Sequence, residues 1–275
     1  MRKGFLAIIL SLSTASFAIY QGRLLNFSFA TYAINNYQNN WQNSLNWSVK
    51  IADSLRYAVN ASVFVMNYMN NYYQAGYIPT TVSFSSYENS DVTTNNFLSQ
   101  SAKNYNFVFY HGHGAPNEIT MWNSNTVVAN TDAGVGVRNT YWAWLSACTV
   151  FRNNYSNQDP WFDGVFEGVH SILGLSSIGF GNLYVMRAYQ DFAVRWINGG
   201  EKIWDAYYTS VMNLIHSQGG YDIEPKIVYR YGYVDGNFFD PWEEKFMNVI
   251  AGPVFYNNDY DGIGSRWITL GTPTY

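Results

Sequence analysis

The chain has 275 residues, a formal net charge of −4 and only 12% charged residues, so a nucleic-acid partner has no electrostatic support. A chain of this length can bury a full core, either as one domain of about 250 residues or as two small ones. Aromatic residues reach 19%, with 24 Tyr and 10 Trp, an excess that fills cores or lines a carbohydrate site.

Residues Met1–Ala18 read as a secretory signal: Arg2 and Lys3 supply the positive start, Phe5–Leu12 the apolar segment, and Ser16-Phe17-Ala18 the small–x–small cleavage site. The apolar segment is short for a bilayer, and no later segment has eighteen uninterrupted apolar residues. The expectation is a secreted, extracellular protein with no membrane span after signal removal, the alternative being an uncleaved N-terminal anchor. Leu24–Ile34 is rich in strand formers and predicts a first strand. From Ser44 to about Tyr73, apolar residues at Leu45, Val49, Ala52, Leu55, Val59 and Val63 recur at helical spacing. Within it, Ala61–Met69 is apolar enough to be a buried turn of helix or a short strand. Gly76 and Pro79 interrupt, and Thr80–Tyr87 predicts a second strand. Asp91–Ala102 predicts a short helix capped by Asp91 or Thr93, with Phe97, Leu98 and Ala102 inward. Phe107–Tyr110 is a third strand. Strand, helix, strand, helix, strand argues a parallel sheet with right-handed crossovers.

Beyond the Gly114–Pro116 turn, Glu118–Trp122 predicts a brief strand and Asn123–Asn139 a polar loop long enough to be functional. Trp142–Ala147 is a fourth strand, Phe151–Asp163 a second polar loop, Val165–Val169 a helical start and Ser171–Ile178 an apolar strand. Tyr184–Trp196 and Glu201–His216 have helical spacing, the first closed by Asn198-Gly199-Gly200. After Gly219-Gly220 the pattern changes to short strands at Ile227–Val234, Val249–Val254 and Trp267–Leu270. The expected fold class is therefore α/β: a mainly parallel sheet flanked by helices over 19–218, with a β-rich irregular C-terminal extension, 219–275, packed on the same domain. Asn257–Gly262 imitates the start of a calcium loop, but Ile268 stands where a bidentate Glu is needed, so it reads as a turn. No metal or cofactor is expected.

Chemistry concentrates in two stretches, Phe107–Gly114 and Tyr141–Cys148. Each is a short apolar and aromatic run, which reads as a buried strand. One ends in His111 and His113, the other in Cys148. Parallel strands bring their carboxyl ends to one edge, about 4.8 Å apart, so a His and a Cys placed there can reach a common substrate. Cys148 has no second cysteine with which to pair, and is either a reactive thiol or a small buried filler. His111 reads as structural or supporting, since one His suffices for proton transfer. His170, in an apolar stretch, reads as a satisfied core histidine, the alternative being a place in the site wall.

The texts Phe109-Tyr110-His111-Gly112-His113-Gly114 and Ser146-Ala147-Cys148, 35 positions apart from His to Cys, resemble the caspase–haemoglobinase fold cysteine peptidases. These include caspases, metacaspases, legumains, gingipains and clostripain. The Gly112-His113-Gly114 triplet is most similar to the gingipain and metacaspase version. The run Phe166-Glu-Gly-Val-His170-Ser-Ile-Leu-Gly174-Leu175 resembles an uncharacterised group of secreted proteins near that fold, and the resemblance spans roughly 24–216. It implies catalytic residues His113 and Cys148, an oxyanion hole from the backbone N–H groups of Gly114 and Cys148, and a peptide or protein substrate. His111, Trp122, Trp161 and His170 are expected as supporting residues or cleft walls, and the loops Asn123–Asn139 and Phe151–Asp163 as the cleft's rim. The rival expectation is a non-catalytic exported binding protein on the same fold, engaging cell-surface or glycan ligands.

Overall fold

The computed structural model describes residues 24–38, 45–73, 76, 78–101, 105–129, 140–152, 160–166, 169–175, 183–218, 224–234, 237–249 and 262–267. Strands β1 (Asn26–Ala33), β2 (Thr81–Glu88), β3 (Phe107–His111), β7 (Trp142–Ser146) and β8 (Ser171–Leu175) pair in parallel in the order β2-β1-β3-β7-β8. Every residue of β3, β7 and β8 is buried. That is why these strands read as unbroken apolar runs rather than as alternating ones. The fold is thus the expected α/β class, a mainly parallel sheet with helices on its faces.

One face of the sheet carries the long helix α1 (Ser48–Tyr73), then α3 (Leu183–Ala193) with its π-helical continuation Val194–Asn198, and α4 (Ile203–Gln218). Ile51, Leu55, Val59 and Val63 of α1 meet Phe29, Phe107, Trp144, Phe192 and Trp196 in one core cluster. The second cluster lies on the other face, under Phe97, the small antiparallel sheet β4 (Gly114–Ala115), β5 (Glu118–Thr120) and β6 (Thr126–Val128), and the short helix α2 (Pro160–Asp163). Thr93 makes the cap expected of it, its Oγ1 accepting from the Asn96 N–H at 3.1 Å, and Phe97 is buried.

Several local expectations change. Ala61–Met69 is helical throughout, and Phe64, Val65, Tyr68 and Met69 point to solvent instead of into the core. The predicted loop Asn123–Asn139 contains β6, with Val127 and Ala129 fully buried; 130–139 lies outside the described residues. Likewise 153–159 of the second predicted loop lies outside them, while α2 at its end buries Trp161 and Phe162. In the C-terminal part, β9 (Pro225–Val234) adds to the main sheet antiparallel to β8, and β10 (Asn237–Phe239) and β11 (Gly262–Trp267) pair with β9. Of the strand expected at Trp267–Leu270, Trp267 belongs to β11 and 268–270 lie outside the described residues. Residues 250–254 of the strand expected at Val249–Val254 and the calcium-like turn 257–261 lie outside the described residues. No helix among the described residues is long and apolar enough to cross a membrane.

Candidate active site

The parallel register of β3 and β7 pairs His111 with Ser146. His113 and Cys148 each lie two positions further on, so they occupy equivalent places just past two adjacent strand ends. This is the carboxyl edge, where ligands bind in open α/β sheets. Both residues are partly exposed, although the strands leading to them are buried. The two connecting turns are packed against each other. A Cβ at Gly114 would stand 2.9 Å from the Ala147 Cβ and 3.0 Å from the Val150 Cγ1. Only a residue without that atom lets the histidine turn close onto the cysteine turn. The Asn117 N–H donates to the Val150 carbonyl at 3.2 Å across the same junction. Thr149, directly after Cys148, has φ of 54°, a left-handed conformation that costs a β-branched residue about 1–3 kcal/mol and reverses the chain sharply.

Two tyrosines hold His113. The Tyr37 hydroxyl accepts from the His113 backbone N–H at 2.6 Å, and the Tyr37 ring lies against the imidazole with centroids 5.0 Å apart. The Tyr110 hydroxyl lies 3.0 Å from the His113 carbonyl and 2.5 Å from the Thr120 carbonyl, and is hydrogen-bonded to Tyr37 as well. Both peptide groups of His113 are therefore fixed. Burial pushes the Tyr37 phenol up to about 12, and the nearby Cys148 adds to the rise; Tyr110 is raised well above the usual phenol range, chiefly by burial. Both phenols stay neutral around Cys148 at physiological pH. A Cβ at Gly112 would run into the Tyr110 hydroxyl and stand 2.8 Å from that of Tyr37, so this glycine makes room for the pair. Tyr37 was not singled out by its sequence context, a Tyr among Asn and Gln. The edge rule could have found it, because it follows the end of β1, the strand next to β3.

The remaining sequence candidates separate. His111 is buried, and its Nδ1 is 2.9 Å from the Oγ of Ser48, the first residue of α1. It ties the sheet edge to the helix start. Its strand partner Ser146 is hydrogen-bonded through its hydroxyl to that of Tyr189, on the same helical face. Trp122 is half-buried; its carbonyl accepts from the Gln38 N–H at 2.9 Å, which sets it on the flank of Tyr37. Trp161, expected as a cleft wall, is instead fully buried, its Nε1 donating to the Val150 carbonyl at 3.2 Å. It supports the cysteine turn from below. His170 also leaves the site. It precedes β8 at the amino edge, opposite to Cys148, where its Nδ1 is 2.9 Å from the Glu244 Oε1. The Trp142 Nε1 donates to the other Glu244 oxygen at 2.6 Å, and all three side chains are buried. His170 is a satisfied core histidine. Among the described residues no three His, Cys, Asp or Glu side chains gather as a metal site requires.

Fold and site together define an α/β protein that presents a histidine and a cysteine at one sheet edge. Residues 86–219, which include both, match the model of a domain of unknown function, DUF6345. No curated protein matches the sequence. Among solved structures, the Arg-specific cysteine proteinase gingipain R is similar over 89% of this chain and 61% of its own, less than two thirds, at 8% identity and a TM-score of 0.48. Caspase-1 from Spodoptera frugiperda is similar over 74% of this chain and 80% of its own, at 10% identity and a TM-score of 0.43. A pro-form of that caspase gives 8% identity and a TM-score of 0.41, over 73% and 86% of the two chains. The fold class rests on the strand order and directions, not on these likenesses.

Proposed function

We propose that this protein is an exported cysteine hydrolase that cleaves peptide bonds with His113 and Cys148. The observation that carries the reading is the pairing of His111 with Ser146, which brings the two residues past neighbouring strand ends in equivalent positions. In the reaction the Cys148 sulfur, as thiolate, attacks the substrate carbonyl carbon. The carbonyl π electrons move to oxygen, and the oxyanion is met by the backbone N–H groups of Gly114 and Cys148, each such donor being worth about 3–4 kcal/mol. Collapse of the intermediate breaks the C–N bond as His113 delivers a proton to the departing amine. Water then attacks the thioester, His113 takes its proton, and the acid leaves as the thiolate is restored. Tyr37 and Tyr110 position the histidine through its backbone. Export rests on the Met1–Ala18 segment.

The reading is tested by incubating the native protein with iodoacetamide and, separately, with a diverse peptide library. Cys148 is expected to alkylate in the folded state and peptides to be cut. His113→Ala should lower the hydrolysis rate by about 10²–10⁴-fold. A thiol that reacts only after unfolding, with no cleavage of any peptide, would sink the enzyme reading in favour of a binding role.

A further inference from the structure

The long helix α1 has two apolar faces, and the sheet uses one of them. Ile51, Leu55, Val59, Val63 and Met66 are buried against the core. On the opposite side Tyr57 is 65% exposed, Phe64 71%, Tyr68 64% and Tyr72 74%, with Ala61 exposed between them and Val65 beside Phe64. The solvent side of a surface helix is ordinarily charged. Here no Asp, Glu, Lys or Arg occurs between Arg56 and Glu88. Contiguous exposed apolar surface of this kind marks an interaction site.

We propose that this stripe is a homodimer interface, in which α1 packs antiparallel on α1 of a second copy of this chain. Three features select that occupant. Positions 57, 61, 64, 68 and 72 are spaced by four, three, four and four residues, which keeps them on one stripe of the helix as a helix–helix contact needs. The stripe is also self-complementary about a two-fold axis between residues 64 and 65. In that register Tyr57 faces Tyr72, Ala61 faces Tyr68 and Phe64 faces Val65 of the second copy, so the smallest member meets a large one. A two-fold interface requires this, since the same patch serves both subunits. The area is sufficient too. At about 200 Å² per aromatic side chain and the exposures above, these residues with Val65 offer roughly 600 Å², which reaches the lower end of the ~600–1,000 Å² per partner of a specific interface. Asn60 and Asn71, both exposed and uncharged, supply the polar rim. A lipid surface fits less well, because membrane-lying helices carry Lys or Arg along their polar flank and this stretch has none.

The test is sedimentation velocity of the purified protein over a range of concentrations. A dimer is expected. Ala61→Glu and Tyr68→Lys should each weaken it at least about tenfold, with little change in the thermal midpoint, because both positions are exposed. Combined in one chain, the two substitutions place opposite charges face to face and should restore the dimer. If either variant folds poorly, Phe64→Glu supplies the same loss. A protein that is monomeric at every concentration overturns the proposal, as does a dimer that neither substitution weakens. A double variant no tighter than the singles overturns the antiparallel register and with it the proposal. A monomer that binds phosphatidylglycerol vesicles or a soluble glucan, and loses that binding in Phe64→Glu, assigns the stripe to those ligands instead. A monomer whose thermal midpoint collapses in Ala61→Glu assigns it to the chain's own N-terminal segment.

Discussion

Replacing Tyr37 by Phe removes one oxygen and leaves the ring. In the folded protein that oxygen accepts from the His113 N–H at 2.6 Å and is hydrogen-bonded to the Tyr110 hydroxyl, in a side chain only 3% exposed. The ring's packing survives, so no cavity larger than a hydroxyl opens. The loss is that of an acceptor to a partly buried backbone donor, about 1–2 kcal/mol. For a chain of this size each kcal/mol moves the melting temperature by about 2–4 °C, so a fall of roughly 2–8 °C is expected by circular dichroism. The effect on function should be larger than the effect on stability. The His113 peptide loses one of its two fixed sides, and a displacement of about 1 Å in a catalytic group costs on the order of 10²-fold. Peptide cleavage should therefore fall steeply in a protein that is still folded, while Tyr37→Ala should add the cavity cost of about 3–5 kcal/mol and melt far lower. The reasoning fails if Tyr37→Phe leaves both melting temperature and turnover unchanged. It fails equally if the protein loses more than about 10 °C, since the tyrosine would then act through the core rather than through His113.

Gly114→Ala should place a Cβ 2.9 Å from that of Ala147, costing about 1–3 kcal/mol and parting the two turns; cleavage should drop more than melting temperature, and an unchanged rate would refute the close packing. Glu244→Ala removes the carboxylate that both His170 and Trp142 bind in the core, which should cost about 3–5 kcal/mol in a urea titration. Its folded fraction should still alkylate at Cys148, at the opposite edge of the sheet; loss of labelling without loss of stability would contradict the placement. Alkaline titration should unfold the protein. Burial raises the phenols of Tyr32, Tyr37, Tyr110 and Tyr207, while an unfolded tyrosine ionises near pH 10. The stability they contribute is fully present below pH 10; the share of Tyr37 is lost as pH climbs through about 12, and the shares of the other three, raised further by burial, go on falling above that, at ~1.4 kcal/mol per pH unit for each group. Tyrosinate absorbance and circular dichroism should change together; ionisation of every tyrosine near pH 10 with the fold intact would refute it.

The parallel strands and the helix pair were legible because their physics is local. A strand buried on both faces must be apolar at every position, as Phe107–His111 and Trp142–Ser146 nearly are, and a helix over a sheet must repeat its apolar residues at three and four. The presence of His113 and Cys148 at the ends of two such strands was therefore readable, and so was the α/β class. What followed from cross-strand register was not. The pairing of His111 with Ser146 makes the two ends level, and nothing in either segment alone states it. Tyr37 reached the site only through the neighbouring strand β1. His170 and Trp161, equally apolar in context, went to the opposite edge and beneath the cysteine turn, because direction in a fold depends on which element covers a side chain. Val127 strengthened a stretch that reads as polar loop by pairing it with β5. In α1 both faces are apolar, so composition predicted burial for Phe64 and Tyr68 as readily as for Val59 and Val63. The sheet has one surface to offer a helix, and tertiary packing chose which stripe it covered.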